Sequence, residues 1–264
     1  MTVDIVDLRE FYATPLGMSV EASLRRAFDS AVELSPDAII IGLGYPVCLI
    51  NRLEEEGAKP MMLMPARQGA LQWPSGGPYR TALVDEEELP LSNASVDLVV
   101  MVHLLENVAD PAAVLQEVWR VLAPEGRVFV VATNRRGLWA RFEHTPFGVG
   151  RPFSRQQLGR MLREAKLIPL KWSDALHFPP MRSRRMVPLH GLLRRLGRWL
   201  WPVFSGVIVV EATKRLYQGL PVTERKEQGA FVPALAPQSP AIRNSRLRTQ
   251  QEWPRRTAQH PKSF

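Results

Sequence analysis

Residues 38–64 read AIIIGLGYPVCLINRLEEEGAKPMMLM, and this stretch decides the fold. Its β-branched opening, Ala38 to Ile41, predicts a short strand that is buried on both faces. Two glycines then indicate a sharp turn, and Val47 to Glu56 has the apolar spacing of a helix. The apolar run from Pro60 to Met64 predicts a second strand. Strand, glycine turn, helix and strand in this order predict one βαβ unit.

The same alternation of strands and helices extends to both sides of this unit. Residues 4–34 have the spacing of two helical segments that are interrupted near Pro15. Strands that alternate with helices pair in parallel and place helices on both faces of the sheet. We therefore predict an α/β fold with a doubly wound, parallel sheet. The further strands are predicted at 79–83, 96–102, 127–132, 167–172 and 207–212, and the further helices at 112–122 and 154–164.

Composition narrows the class of protein. A length of 264 residues with 45% hydrophobic and 23% charged residues is typical of one α/β domain with appendages. The single cysteine, Cys48, excludes an intramolecular disulfide and lends no support to an oxidising compartment. The first residues carry acids rather than a basic region before an apolar run, and no apolar run approaches the ~20 residues that span a bilayer. We expect a cytoplasmic protein.

Three regions are predicted along the chain. They are an N-terminal helical cap at 1–36, the α/β domain at 37–216 and a disordered basic tail at 217–264, where apolar periodicity is lost. Within the domain, an insertion at 179–202 mixes arginines with leucines and tryptophans. This insertion is either a basic amphipathic helix that binds an anionic surface or an acidic partner, or a helix that covers the sheet edge and exposes its arginines. In the first case the basic tail contributes to the same binding.

A run of segments between residues 84 and 126 resembles the class I S-adenosylmethionine-dependent methyltransferases. The resemblance is greatest to the branch that acts on small molecules and quinone precursors, and it is close over about residues 37–135. It implies a Rossmann-like, seven-stranded methyltransferase fold, S-adenosyl-L-methionine as the cofactor and methyl transfer to a small-molecule acceptor. The segments that carry it are VDEEELPL (84–91), SVDLVV (95–100), HLLENVADP (103–111) and LQEVWRVLAPEG (115–126).

The resemblance also implies a set of site residues. In such folds the ligand lies across the carboxyl ends of the strands. Two glycines would let the backbone approach the cofactor, Asp85 would accept a hydrogen bond from the adenine amino group, and His103 would face the methyl group. No metal site is expected. The implied cofactor-binding residues are Gly42, Gly44, Tyr45, Met64, Asp85, Glu86 and His103, and His103 is also a candidate catalytic residue. Tyr12 is the second catalytic candidate, as an acid–base or positioning group in the predicted cap.

Each of these assignments has a simpler alternative. A glycine pair in a βα turn satisfies steric needs in many folds, Asp85 lies in an acidic run that is typical of a solvated loop, and His103 is equally a strand-end histidine bonded to backbone. The other histidines considered as acid–base groups are His144 and His177.

The sequence departs from the family pattern at three positions. Ile40 stands where an acid is usual in the first strand, and Pro46 replaces the third glycine of the turn. The acid that grips the ribose hydroxyls is absent from Leu63 to Pro65, which costs about 1.5–3 kcal/mol or roughly tenfold to a hundredfold in affinity. Asn51 and Gln68 are possible substitutes. The alternative function is therefore a catalytically degenerate methyltransferase-like binding or scaffold protein.

Overall fold

The computed structural model describes residues 3–31, 37–180 and 205–215, all of which fall in one compact unit that spans residues 1–219. Its centre is a seven-stranded sheet in the order β3-β2-β1-β4-β5-β7-β6. The strands are β1 Ile40–Gly44, β2 Met61–Pro65, β3 Thr81–Val84, β4 Val96–Val102, β5 Leu122–Thr133, β6 Leu167–Ala175 and β7 Val207–Lys214. The helices are α1 Ile5–Ala13, α2 Pro15–Asp29, α3 Val47–Glu55, α4 Pro111–Val121 and α5 Arg155–Glu164, with 3-10 turns at Trp139–Arg141 and Pro146–Gly148.

The sheet is parallel from β3 to β5, but β7 runs antiparallel to both β5 and β6. The prediction of a wholly parallel sheet is therefore wrong at this edge. Ala175, the last residue of β6, pairs with Val207, the first residue of β7. The end of β6 and the start of β7 therefore lie side by side, and two neighbouring strands connected in this way run in opposite directions.

The two glycines of the first βαβ unit lie inside β1 and not in a turn. Gly42 pairs with Val100 and Gly44 pairs with Val102, so the strand starts at Ile40 and runs beyond the predicted 38–41. A Cβ on Gly44 would lie 2.5 Å from the carbonyl oxygen of Val102, and its φ is +85°. Glycine is required here because both the backbone angle and the close approach of β4 exclude a side chain.

Helices cover both faces of the sheet, as the alternation of elements predicts. Apolar residues of α1, α2 and α3 pack on one face, where Phe28 lies edge-on to Phe129 of β5 at 4.9 Å. Apolar residues of α4 and α5 pack on the other face, against alternate residues of the same strands such as Val128 and Val130. A strand that is covered on both faces is mostly apolar, which explains the unbroken burial of β1. β7 is also buried along its whole length, and its polar residues are bonded: Glu211 pairs with Arg127, and Lys214 donates to the carbonyl oxygen of Leu122.

Side-chain caps set the first residues of α4 and α5. Asp110 caps α4 by accepting from the backbone N–H groups of Ala112 and Ala113, and Pro111 occupies the first helical position. Ser154 and Gln157 form a reciprocal capping box at α5. The α4 cap fixes the length of the turn between β4 and α4.

Most of the predicted insertion and all of the predicted tail lie outside the described residues, and the domain bounds remain predictions. Within residues 3–31, 37–180 and 205–215, no helix is long and apolar enough to cross a membrane. The same residues contain no cluster of metal-ligating side chains.

Substitution of Gly44 by Ala should destabilise the fold by about 3 kcal/mol or more, because strain at positive φ adds to a clash with Val102. Gly57 is the matched control, since its φ is +95° and nothing lies within 4 Å of its added Cβ. Gly57→Ala should cost only about 1–2 kcal/mol. Urea unfolding of both variants measures the difference, and equal losses would contradict this account.

Candidate active site at the carboxyl ends of β1 and β4

The strand order reverses between β1 and β4, since the chain runs outward through β2 and β3 on one side and through β4 and β5 on the other. In open parallel sheets, ligands bind in the crevice outside the carboxyl ends of the strands at this point. In this structure the place is filled by buried residues, namely Gly44 at the end of β1, Tyr45 after it and His103 after β4. We call this buried place the crevice. The Tyr45 N–H donates to the carbonyl oxygen of Val102 at 2.8 Å, which holds the two strand ends together.

His103 lies at the centre of the crevice and has no solvent exposure. Its φ is +54°, a left-handed angle that is uncommon outside glycine and that is often found at functional sites. Its Nε2 is 2.9 Å from the hydroxyl of Tyr12, and its ring packs 4.6 Å from the ring of Phe147. The structure thus brings the two predicted catalytic residues into contact.

Tyr12 reaches the crevice because α1 has one apolar face, formed by Ile5, Leu8 and Tyr12. Its ring stacks on that of Tyr45 at 5.4 Å with an angle of 27° between the planes. Burial raises the pKa of Tyr12 well above its ordinary value and the pKa of Tyr45 to about 12. Both phenols are therefore neutral at physiological pH, and Tyr12 is available as a hydrogen-bond donor to His103.

Gln68, in the loop after β2, contacts His103 from the side of β1 that faces away from β4. Its amide nitrogen donates to the carbonyl oxygen of His103 at 2.8 Å. This bond joins the end of β2 to the end of β4, so it passes over the end of β1, which lies between them. Gln68 also holds the start of α1, because its backbone carbonyl oxygen accepts a hydrogen bond from the N–H of Ile5 at 2.8 Å. Tyr12 and Gln68 together cover the crevice in this structure.

Glu106, which the sequence reasoning did not single out, completes the crevice from the turn before α4. Its Oε1 is 3.5 Å from Nδ1 of His103, and the hydroxyl of Thr133 donates to the same oxygen at 3.5 Å. The residue is only 2% exposed. The one available sequence signal was its position three residues after a histidine at the end of a strand, because a turn brings residues at this spacing close together.

Unpartnered polar atoms concentrate at this place. Polar atoms that are buried without a hydrogen bond are rare and costly, and each one calls for an explanation. Four side chains of the crevice and its turn contribute such an atom, which suits a polar ligand at the carboxyl end of β4. They are Gln68 Oε1, His103 Nδ1, Glu106 Oε2 and Asn107 Oδ1.

The predicted cofactor residues of β2 and β3 lie along the neighbouring strand ends. Asp85 is exposed and its carboxylate accepts from the N–H of Glu87 at 2.9 Å. Glu86 is buried, and its carboxylate is 4.0 Å from the guanidinium of Arg67. Since neighbouring strands lie about 4.8 Å apart and β3 is three strands from β4, these acids lie roughly 14 Å from the end of β4, where His103 is. That places Asp85 at the rim, where it makes no contact with Tyr12 or His103.

Protein packing accounts for part of the family-like pattern. A Cβ on Gly42 would lie 2.7 Å from the sulfur of Met62 and 2.8 Å from Pro46, so this glycine is needed whether or not a ligand approaches. At the end of β2, Met64 is fully buried and its sulfur accepts from the N–H of Leu71 at 3.2 Å. The strand offers no acid at its end.

The proposed substitutes for that acid are already bonded to other groups. The side-chain oxygen of Asn51 accepts a hydrogen bond from the indole of Trp73 at 2.6 Å, and the amide nitrogen of Gln68 donates to His103. The side-chain oxygen of Gln68 stays without a partner in the part of the chain that the structure describes. His144 and His177 contact backbone carbonyl oxygens at 3.4 and 3.2 Å rather than the crevice. Among the histidines considered as acid–base groups, only His103 lies beside the ends of β1 and β4, since His177 follows β6.

A cleft of about 580 Å³ opens on the outer side of α1. Its wall includes Phe11, whose ring lies edge-on to Tyr12 at 5.3 Å and to Phe147 at 6.2 Å. The aromatic pair of Phe11 and Phe147 thus separates this cleft from His103. The volume is within the range of small-molecule pockets.

Residues 59–130 match the family model described as a methyltransferase domain. A probable S-adenosylmethionine-dependent methyltransferase of Mycolicibacterium smegmatis is 41% identical over 71 residues, which make up 27% of this chain. The chain matches 26% of that relative's length.

Solved structures share the fold of this chain at low sequence identity. A possible histamine N-methyltransferase of Thermotoga maritima has a TM-score of 0.54 and 17% identity over 78% of this chain and 94% of that chain. The putative methyltransferase in complex with the Trm112 methyltransferase activator of Haloferax volcanii has a TM-score of 0.59 and 16% identity, over 81% of this chain and 100% of that chain. The predicted Rossmann-like, seven-stranded fold is confirmed.

The buried phenols predict a loss of stability in alkali. The unfolded chain ionises Tyr12 and Tyr45 near the ordinary pKa of about 10, whereas the folded chain holds them neutral, so stability falls as the pH rises from about 10 towards 12. In an alkaline titration followed by tyrosinate absorbance, unfolding ionises the buried tyrosines together. Tyr45→Phe should reduce the rise in absorbance at unfolding by the contribution of one tyrosine. Tyr79→Phe is the control, since Tyr79 is 60% exposed and its loss should leave that change intact.

Proposed function

We propose that this chain transfers a methyl group from S-adenosyl-L-methionine to a small-molecule acceptor in the crevice between β1 and β4. The observation that carries the proposal is the coincidence of two features. One is the methyltransferase-domain match over residues 59–130. The other is the group of unpartnered buried polar atoms around His103, at the point where this fold binds ligands.

The chemistry of the strand ends suits the cofactor at two of three positions. The exposed carboxylate of Asp85 can accept from an adenine amino group, and the unpartnered oxygens of Gln68 and Asn107 can accept from an ammonium group. The third position lacks the acid of the family, because β2 ends in Met64 and Pro65 and neither carries a carboxylate for the ribose hydroxyls. Binding through these residues should therefore be weaker than in a chain that has the acid.

Ligand entry requires α1 to move. Tyr12 and Gln68 cover the crevice, and each is held by a hydrogen bond to His103. A protein whose binding-competent form is only partly populated binds its ligand more weakly by that fraction. Movement of α1 would free Nε2 of His103 and expose the unpartnered oxygens.

The acceptor is proposed to enter from the cleft beside Phe11, which is separated from His103 by one layer of aromatic rings. S-adenosyl-L-methionine supplies a methyl group on a positively charged sulfur, and transfer to an O–H or N–H acceptor releases one proton. Nε2 of His103 is positioned to take up that proton once Tyr12 has moved. Positioning of the acceptor supplies most of the remaining rate enhancement.

Calorimetric titration with S-adenosyl-L-methionine and with its demethylated product tests the cofactor. Asp85→Ala should weaken binding of both by about tenfold to a hundredfold, because a charged hydrogen-bond acceptor is lost. Glu87→Ala is the matched control, since this neighbouring acid is also exposed and should leave the affinity unchanged. Absence of binding of either ligand at millimolar concentration would exclude methyl transfer and favour the degenerate binding protein.

The cover formed by α1 gives a second test. Tyr12→Phe removes the hydrogen bond to His103 and weakens the covered state by about 0.5–1.5 kcal/mol. The affinity for the demethylated cofactor should then rise by about twofold to tenfold, because more of the protein is open. Tyr79→Phe, at an exposed site, should have no effect. Weaker binding by Tyr12→Phe would contradict the idea that Tyr12 competes with the ligand.

A further inference from the structure

The two ring nitrogens of His103 face different groups. Nε2 is 2.9 Å from the Tyr12 hydroxyl, and Nδ1 is 3.5 Å from Oε1 of Glu106. The contact at Nδ1 is electrostatic, since Nδ1 has no hydrogen-bond partner among the described residues. A neutral imidazole carries one proton, so one nitrogen is a donor and the other an acceptor. The side that carries the proton decides whether Nε2 can act as a base.

Burial makes the electrostatic contact strong. The side chains of His103 and Glu106 are 0% and 1% exposed, so little solvent screens them. Within residues 3–31, 37–180 and 205–215, no lysine or arginine forms an ion pair with Glu106. An N–H at Nδ1 is attracted to the carboxylate, whereas a lone pair at Nδ1 is repelled by it.

We propose that Glu106 is a positioning residue that keeps the proton of neutral His103 on Nδ1 and leaves the lone pair of Nε2 directed at the crevice. In the covered state, this lone pair accepts from the hydroxyl of Tyr12. The assignment rests on geometry at both nitrogens and does not depend on a bound ligand.

The surrounding structure holds both partners in place. The amides of Gln68 and Asn107 donate to the carbonyl oxygen of His103 at 2.8 and 3.1 Å, which fixes the left-handed backbone at this residue. The hydroxyl of Thr133 holds Oε1 of Glu106. Burying a carboxylate with so few donors is costly, and an apolar residue would fill the same space without that cost. Packing alone therefore does not explain a carboxylate at position 106, whereas an electrostatic interaction with His103 does.

The consequence for catalysis rests on the proposed function. When α1 moves and Tyr12 leaves, an acceptor O–H or N–H takes the place of the phenol at Nε2. The acceptor's proton passes to Nε2 as its oxygen or nitrogen bonds to the methyl carbon and the sulfur–carbon bond breaks. The resulting imidazolium is then stabilised by the carboxylate of Glu106.

The tautomer of His103 can be measured directly on the full chain by proton–nitrogen correlation NMR of the histidine side chains. Spectra are recorded at about pH 8.5, well above the ordinary histidine pKa of about 6.5. The chain has 5 histidines, and His103→Gln assigns the signal of interest. Wild type should show a proton on Nδ1 and none on Nε2. Glu106→Leu should shift the proton to Nε2, and Glu164→Leu, at an exposed acid on α5, should leave the spectrum unchanged.

A proton on Nε2 in the wild type would overturn the proposal, as would an unchanged His103 signal in Glu106→Leu. If Glu106→Leu does not fold, the wild-type spectrum alone still decides the tautomer. The measurement needs no cofactor or acceptor, so its failure is distinct from failure of the calorimetric test of methyl transfer.

Discussion

The close approach of β1 to β4 at Gly44 is the constraint on which the rest of the structure depends. A side chain at this position would collide with the backbone of Val102, so only glycine lets the two strands stay paired to their carboxyl ends. The pairing then places Tyr45 and His103 side by side, and it sets the point where the strand order reverses. A crevice at this point is a property of the backbone path, and the side chains around it determine its chemistry.

That chemistry is concentrated in a short buried chain of polar groups. Tyr12, His103 and Glu106 come from the cap helix, the end of β4 and the turn before α4, and they meet without solvent. A buried polar network of this kind costs stability unless its members satisfy one another. Tyr12 is the only one of the three that lies on a helix packed against the sheet, the 9-residue α1. The network thus joins the sheet to the helix that covers the crevice.

Much of the framework was predictable from local patterns, and the errors share one cause. Val96 to Val102 is apolar enough to be recognised as a strand without its partners, and the Asp110–Pro111 pair marks the start of α4 by its own capping chemistry. Gly42 and Gly44 were assigned to a turn because glycine is typical of turns, yet strand pairing with β4 places them in β1. The predicted direction of β7 was wrong because periodicity identifies a strand without showing which neighbouring strands it pairs with.

The sequence by itself determined the alternation of strands and helices, the seven strands of the sheet and the resemblance that pointed to His103. These features depend on residues that are near one another in the chain, so spacing and propensity are enough to reveal them. Only the tertiary structure decided that the Tyr12 phenol rests on His103, that Gln68 crosses the end of β1 and that Glu106 faces the second ring nitrogen. Contacts between distant segments follow from chain topology and packing, which no local pattern encodes.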